Sequence, residues 1–201
     1  MRISAKISFI IFIIVIGFLS CHKIENTTES LSLNKEIERK VDSVLNLMTL
    51  EEKIGQTVQY SVGGTLTGPG SSSSSRDKHE KIKKGQVGSL LNVVSVARVR
   101  EMQELVMENS RLKIPLIFAY DVIHGLKTIF PIPLGESASW DLDLMKQSAA
   151  IAAKESAASG LNWTFAPMID VSRDARWGRI MEGAGEDPYL NSVIGVARIQ
   201  G

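Results

Sequence analysis

A carboxylate stands directly after one of the apolar runs of the sequence. Asp121 follows the run 115–120 and opens the motif DVIHG at 121–125. If the run is a strand of a parallel sheet, Asp121 lies at its carboxyl end, where such sheets bind ligands. Carboxylate oxygens suit the paired hydroxyl donors of a sugar ring, but an Asp that caps the next loop explains the position equally well. A lone histidine such as His124 is more often structural than a catalytic base.

The densest polar stretch of the chain is 166–190, which follows another apolar run. Within it, Arg179 is the best candidate for binding, because Gly178 permits close backbone approach and Trp177 offers an aromatic face. The rigid guanidinium fork could hold two adjacent hydroxyls. For Trp177 itself, core packing is the more common role. Arg179 is therefore a second candidate ligand for hydroxyl groups.

The other charged residues of this stretch have structural explanations. Asp187 precedes Pro188 and is expected to cap the start of a helix. Five further charges are expected to brace the loop by pairing among themselves (Arg173, Asp174 and Arg176) or to cap turns around Gly183 and Gly185 (Glu182 and Glu186). A phosphate-binding loop is rejected, because no GK[ST] element accompanies the glycines.

The elements that must position these residues alternate in type. The patterns predict a strand at 87–94, a helix at 96–111, a strand at 115–120, a helix from an Asp141 N-cap to Gly160, and a strand at 162–166. Such alternation implies parallel strands joined by right-handed crossovers. An open nucleotide-binding sheet should carry a glycine-rich turn after its first strand, and the turn after 94 has none. The alternation therefore favours a (β/α)8 barrel of the TIM type.

The segments before the first predicted strand are less regular. A helical period begins at Lys35, and the Thr49 and Glu52 capping box predicts a second helix from Leu50 that buries Ile54 and Val58. The stretch 63–75 is rich in glycine and serine and is predicted to be a loop. A complete barrel needs roughly 250 residues, and this chain has 201. We therefore expect only the first portion of a barrel, in a fragment of a longer protein.

The first twenty residues have the pattern of an export signal. Arg2 and Lys6 precede the apolar run 7–19, which is shorter than the about 20 residues of a membrane-spanning helix. The small Ser20 then precedes Cys21, the only cysteine of the chain. This arrangement favours a lipoprotein signal over a plain secretory one, with lipid attached to Cys21 and a flexible tether at 21–33. We expect an exported, periplasmic protein that contacts the membrane only through this lipid anchor.

Composition excludes several classes of protein. The 23 basic and 22 acidic side chains give a net charge of +1, which argues against a nucleic-acid partner. One cysteine and three histidines exclude a disulfide framework and leave little room for a metal site. The sequence gives no sign of an organic cofactor.

Several segments together resemble glycoside hydrolase family 3, and within it the periplasmic β-glucosidases of bacteria. They are DVIHG at 121–125, TIFPIPLG at 128–135, APMIDVSRD at 166–174 and RWGR at 176–179, with family-like stretches at 48–56 and 85–89. The resemblance covers roughly 35–201, so the domain is expected to span 34–201. It departs from the family at Ala175, where proline is common, and at the serines of 71–75.

The resemblance implies a retaining, exo-acting hydrolase that releases β-linked glucose from the non-reducing end of a glycan or glycoside. It implies that the partner is a small oligosaccharide or glycoside, and that Asp121 and Arg179 contact the hydroxyls of its sugar. No carboxylate of this chain matches the family's nucleophile or acid/base, which would lie beyond Gly201, so the fragment alone is expected to be inactive. Alternatives are an N-acetylglucosaminidase, a xylosidase, or an exported sugar-binding lipoprotein without catalysis.

Overall fold

The computed structural model describes residues 34–62 and 75–201. The predicted signal peptide, Cys21 and the tether lie outside the described residues, as does the predicted loop at 63–75 except for Ser75. One compact unit ends at Met48, and its described part contains helix α1 over 34–45, as the period from Lys35 predicts. The second unit, Thr49–Gly201, contains every candidate binding residue.

The second unit is built on a four-stranded parallel sheet. Its strands are β1 (Gln59–Ser61), β2 (Ser89–Leu91), β3 (Ile117–Tyr120) and β4 (Trp163–Thr164), and they lie in the order β1-β2-β3-β4. Each strand therefore pairs with its neighbour in sequence, in parallel. Sequential parallel strands with helical connections are the arrangement of a (β/α)8 barrel, and an open doubly wound sheet would reverse its strand order.

In the described part of this unit, six helices connect or flank the strands. They are α2 (Leu50–Gln56), α3 (Ser75–Lys83), α4 (Val96–Asn109), α5 (Pro133–Ser137), α6 (Leu142–Ala158) and α7 (Pro188–Gln200), with a 3-10 turn at Ile180–Glu182. None of the described helices is long and apolar enough to cross a bilayer.

Local side-chain chemistry sets where these helices begin and end. The Thr49 and Glu52 capping box is present, with the Thr49 amide 2.8 Å from Glu52 Oε2. Asp141 Oδ1 accepts from the Leu144 amide at 3.0 Å, and Asp187 Oδ1 accepts from the Leu190 amide at 2.7 Å. Gly160 follows α6 with a φ of +90°, which favours glycine. The caps predicted from sequence are therefore confirmed.

The core lies between the sheet and helices α3 and α4. Its largest fully buried side chains in this region are those of Ile82, Val87, Leu90, Met102, Val106 and Phe118. They come from β2, β3, α3, α4 and the residues just before β2. Leu90 of β2 and Phe118 of β3 are thus buried in this core.

Two elements were not predicted, and one predicted burial was wrong. Strand β1 was not predicted, because three residues with one aromatic side chain carry no alternating pattern. Helix α3 was not predicted either, since it is strongly polar and contributes mainly Ile82 to the core. Ile54 is 55% exposed rather than buried, and Val58 is half-buried and lies beyond the end of α2. Helix α2 instead turns Glu52 and Gly55 inward, because its last turn packs on backbone.

This contact between α2 and the start of β2 requires glycine. A Cβ on Gly88 would lie 2.4 Å from the carbonyl oxygen of Gln56, and one on Gly55 would lie 2.6 Å from Gln86 Cα. Backbone must move to admit even one methyl group, so we expect Gly88→Ala to lower the free energy of unfolding by about 1–3 kcal/mol. Urea unfolding of the variant and the parent protein measures this difference.

Gly178→Ala is the matched control for this substitution. A Cβ on Gly178 would meet nothing within 4 Å. Its free energy of unfolding should therefore stay within about 0.5 kcal/mol of the parent value. Equal stability of the two alanine variants would contradict the tight packing of α2 on the residues before β2.

Candidate sugar-binding site

Asp121 lies where the sequence predicts it, directly after β3 at the carboxyl end of the sheet. Its neighbour Val122 is buried in the core, and the Val122 amide donates to the carbonyl oxygen of Tyr120 at 3.1 Å. Asp121 itself is exposed. Within the described ranges, no hydrogen bond from the protein reaches its carboxylate, which is therefore open to hydroxyl donors of a ligand. The loop-capping alternative for Asp121 is thus not supported.

The turn that follows Asp121 is closed by its own hydrogen bonds. The Phe130 amide donates to the carbonyl oxygen of His124 at 2.8 Å, and His124 Nδ1 lies 3.1 Å from the carbonyl oxygen of Phe130. This second contact links the imidazole to the backbone of the same turn. Gly125 has a φ of +110°, and a Cβ there would lie 1.9 Å from the carbonyl oxygen of Thr128. His124 thus supports this turn, as a structural histidine would.

Glu155 on α6 holds the far side of the same turn. Its Oε2 accepts from the amides of Lys127 at 2.8 Å and Thr128 at 2.9 Å, and its Oε1 accepts from the Thr128 hydroxyl at 2.7 Å. Hydrogen bonds from the Thr128 hydroxyl and then from the two amides lower the pKa of Glu155. The ionised carboxylate is therefore the form that stabilises the turn.

We predict that this stabilisation depends on pH. Because the pKa of Glu155 lies below its ordinary value of 4.5 in the folded protein, its contribution is full above that pH. The contribution is lost as the pH falls through the folded-state pKa. Glu155→Gln should therefore lower the unfolding temperature most at neutral pH. The difference in unfolding temperature between the variant and the parent protein, which we call the gap, should become smaller as the pH falls below 4.5. Thermal unfolding of both proteins across that range measures the gap.

Glu104→Gln is the control, because Glu104 is an exposed residue of α4 outside this turn. Both substitutions remove one negative charge, so the Glu104 variant shows how much of the change in unfolding temperature comes from the loss of charge alone. A gap between Glu155→Gln and the parent protein that stays constant into acid would contradict the assigned role of the carboxylate.

Arg179 lies at the start of the 3-10 turn and is anchored by Glu182. Its Nε is 3.1 Å from both carboxylate oxygens of Glu182, and its Nη2 is 2.6 Å from Oε2. The Glu182 carboxylate raises the pKa of Arg179, and the more distant charges of Asp121 and Asp170 add to the effect. Arg179 is thus a permanent cation, aligned by one carboxylate and within the field of Asp121. The sequence predicts Glu182 as a turn cap, but it is the partner of Arg179.

Asp121 and Arg179 line one cavity of about 510 Å³. His124 and Glu182 add polar groups to its wall, and Ile129, Ile132 and Met181 add apolar ones. Trp177 is half-buried and is not among the lining residues. A cavity that combines a bare carboxylate, a guanidinium and apolar surface matches the chemistry of a sugar, whose hydroxyls are polar and whose ring faces are apolar.

Only part of the pairing predicted for the other charges of 166–190 is present in the described residues. Arg176 pairs with Asp174, with Nη2 and Oδ2 at 2.6 Å, as predicted, but Arg173 is in none of the described ion pairs and the Glu186 carboxylate caps no turn there. Buried Asn191 supports the loop from α7, because its side-chain amide donates to the carbonyl oxygens of Gly185 and Asp187. Residues 34–62 and 75–201 contain no cluster of three or more His, Cys, Asp or Glu that could hold a metal ion.

Comparison with known proteins assigns the domain. Residues 49–201 match the family model described as the glycosyl hydrolase family 3 N terminal domain. The chain belongs to glycosyl hydrolase family 3. The family 3 domain covers the whole second compact unit, Thr49–Gly201.

This family 3 chain is similar in sequence to relatives with two different names. It is 48% identical over 160 residues to the periplasmic beta-glucosidase of Salmonella typhimurium, covering 80% of this chain and 20% of the relative. It is 35% identical over 133 residues to a beta-xylosidase of Formosa agariphila, covering 61% of this chain and 18% of the relative. The chain thus spans about a fifth of the length of these relatives.

A solved structure supports the fold of the family 3 domain. The beta-glucosidase from Listeria innocua in complex with glucose superposes with a TM-score of 0.69 at 40% sequence identity. The alignment covers 80% of this chain and 23% of the Listeria chain. The parallel sheet described above is therefore the first portion of a TIM-type barrel, as the sequence predicts.

Proposed function

We propose that this chain is the N-terminal barrel portion, 34–201, of a retaining β-glucosidase that releases glucose from the non-reducing end of β-linked oligosaccharides or glycosides. The observation that carries the proposal is the cavity shared by Asp121 and Arg179. The bare carboxylate accepts hydrogen bonds from hydroxyls, and the guanidinium donates them, so the pair can read neighbouring hydroxyls of one ring. The glucose named in the Listeria innocua complex supports this substrate class.

The proposed roles of these two residues are binding and orientation. Retaining hydrolysis needs two carboxyl groups about 5–5.5 Å apart, one as nucleophile and one as acid/base. Neither Asp121 nor Glu182 is proposed for these roles, because Glu182 is engaged by Arg179 and Asp121 is assigned to sugar hydroxyls. In this proposal the nucleophile and the acid/base belong to residues beyond Gly201, and the 201-residue fragment alone is inactive.

The proposed location is the periplasm. Export would use the signal peptide at 1–20, and lipid attached to Cys21 would anchor the protein to a membrane through the tether at 21–33. The periplasmic location in the name of the Salmonella relative supports export.

The experiment that tests this function is hydrolysis of a chromogenic β-glucoside. We would assay the 201-residue chain beside the protein made from its complete coding sequence. Activity in the second protein alone is the expected result. Activity in neither would overturn the proposal and favour a sugar-binding lipoprotein, and activity in the 201-residue chain would overturn the assignment of the catalytic carboxyl groups.

A β-xylosidase is the second candidate, and the similarity to the Formosa beta-xylosidase favours it. Xylose lacks the hydroxymethyl group of glucose, so a site built for glucose loses contacts with a xyloside. We expect kcat/KM for the β-glucoside to exceed that for the matching β-xyloside by at least about tenfold. A larger kcat/KM for the β-xyloside would overturn the β-glucosidase proposal and favour a β-xylosidase.

A further inference from the structure

A buried arginine on α7 joins three segments next to the proposed site. The Arg198 side chain is 8% exposed, and its Nη1 pairs with Glu136 Oε2, whose side chain is 9% exposed. The second nitrogen, Nη2, donates to the carbonyl oxygen of Ile123 at 2.7 Å. One guanidinium therefore ties α7 and α5 to the backbone two residues after Asp121.

A buried ion pair of this kind contributes little net free energy to the stability of a fold. Removing two charges from water costs free energy that their attraction often only balances, and apolar residues of similar volume frequently serve as well. The feature that apolar residues could not supply is the hydrogen bond to Ile123, because only a donor can satisfy that carbonyl oxygen.

The Asp121 segment depends on such outside support. Its carboxylate receives no hydrogen bond from the described residues, so the backbone alone sets where the carboxylate lies. Val122 holds that backbone from the core side. Ile123, which lines the cavity, is held by Arg198. A carboxylate that must meet ligand hydroxyls at hydrogen-bonding distance is sensitive to shifts of about 1 Å.

We propose that Glu136 and Arg198 are positioning residues that hold the Asp121 carboxylate in its sugar-binding geometry. Glu136 orients the guanidinium, and the guanidinium fixes Ile123. The proposal rests on the proposed function, because it needs Asp121 to bind the sugar.

The test replaces both charges at once in the protein made from its complete coding sequence. Glu136→Leu with Arg198→Met leaves no unpaired buried charge, so the domain should still fold. We expect kcat/KM for a chromogenic β-glucoside to fall by about tenfold or more, because the carboxylate is no longer held. The single variant Glu136→Gln keeps both acceptors of Arg198 and should lose less than the double variant.

A second ion pair provides the matched control. Glu52 and Arg111 form two hydrogen bonds, at 3.0 Å and 2.6 Å, at the opposite end of the sheet, before β1 and β3. Glu52→Leu with Arg111→Met removes the same number of charges from the domain. It should leave kcat/KM unchanged, whatever it does to the unfolding temperature.

The decisive measurement repeats the double substitution in an Asp121→Ala background. If the pair acts through Asp121, its removal there should change kcat/KM by less than about twofold, since the positioned group is already gone. The same loss in both backgrounds, or no loss in either, would overturn the positioning role while leaving the glucosidase proposal intact. An inactive parent protein would instead overturn the glucosidase function and this role with it.

Discussion

Asp121→Ala should reduce kcat/KM for a β-glucoside by at least about a hundredfold in the protein made from its complete coding sequence. The two carboxylate oxygens can each accept one sugar hydroxyl, and a hydrogen bond to a charged group contributes about 1.5–3 kcal/mol. Two such bonds together exceed the about 2.8 kcal/mol that a hundredfold change requires. Steady-state kinetics on a chromogenic β-glucoside measures the loss of transition-state stabilisation.

Two further variants separate binding from general damage. Asp121→Asn keeps one acceptor oxygen and should lie between the alanine variant and the parent. Asp143→Ala removes an exposed carboxylate in the first turn of α6 and should leave kcat/KM unchanged. If Asp121→Ala keeps the parental kcat/KM, Asp121 does not contact the sugar.

Local signals explain why much of the site could be predicted from sequence. Asp121 is placed by the end of an apolar run, and Asp141 and Asp187 by their position before helical patterns. Each of these inferences needs only neighbouring residues, because strand ends and helix caps are local events. Trp177 and Gly178, which precede Arg179, likewise predict this arginine as a candidate ligand.

The supports of the site could not be predicted in the same way. Glu155 contacts a turn 27 residues earlier in the chain, and Arg198 contacts a carbonyl oxygen 75 residues earlier. No period or spacing connects such residues, since their proximity arises only when the parallel strands are stacked in order. Strand β1 and helix α3 were not predicted for a different reason. They contain too few apolar residues to form a recognisable pattern.

Arg179→Ala should also lower kcat/KM for a β-glucoside by at least about a hundredfold. The substitution removes the guanidinium N–H groups that Glu182 does not engage and that are proposed to donate to the sugar. Charged donors are worth about 1.5–3 kcal/mol each. It also leaves the Glu182 carboxylate, with its side chain 30% exposed, without its guanidinium partner inside the cavity. The negative charge of Glu182 is then no longer neutralised at the cavity wall, and we expect this change in the electrostatics of the proposed site to weaken sugar binding further.

Two variants distinguish these two contributions. Arg179→Lys restores the positive charge but not the planar fork, so it should recover only part of the activity. Glu182→Gln keeps an oxygen acceptor for Arg179 while removing the negative charge, and it should cost less than about tenfold. If Glu182→Gln were as damaging as Arg179→Ala, the carboxylate itself would have to contact the sugar, and Arg179 would be its support. If Arg179→Ala and Glu182→Gln both kept the parental kcat/KM, the cavity that Asp121 and Arg179 share would not be the sugar site.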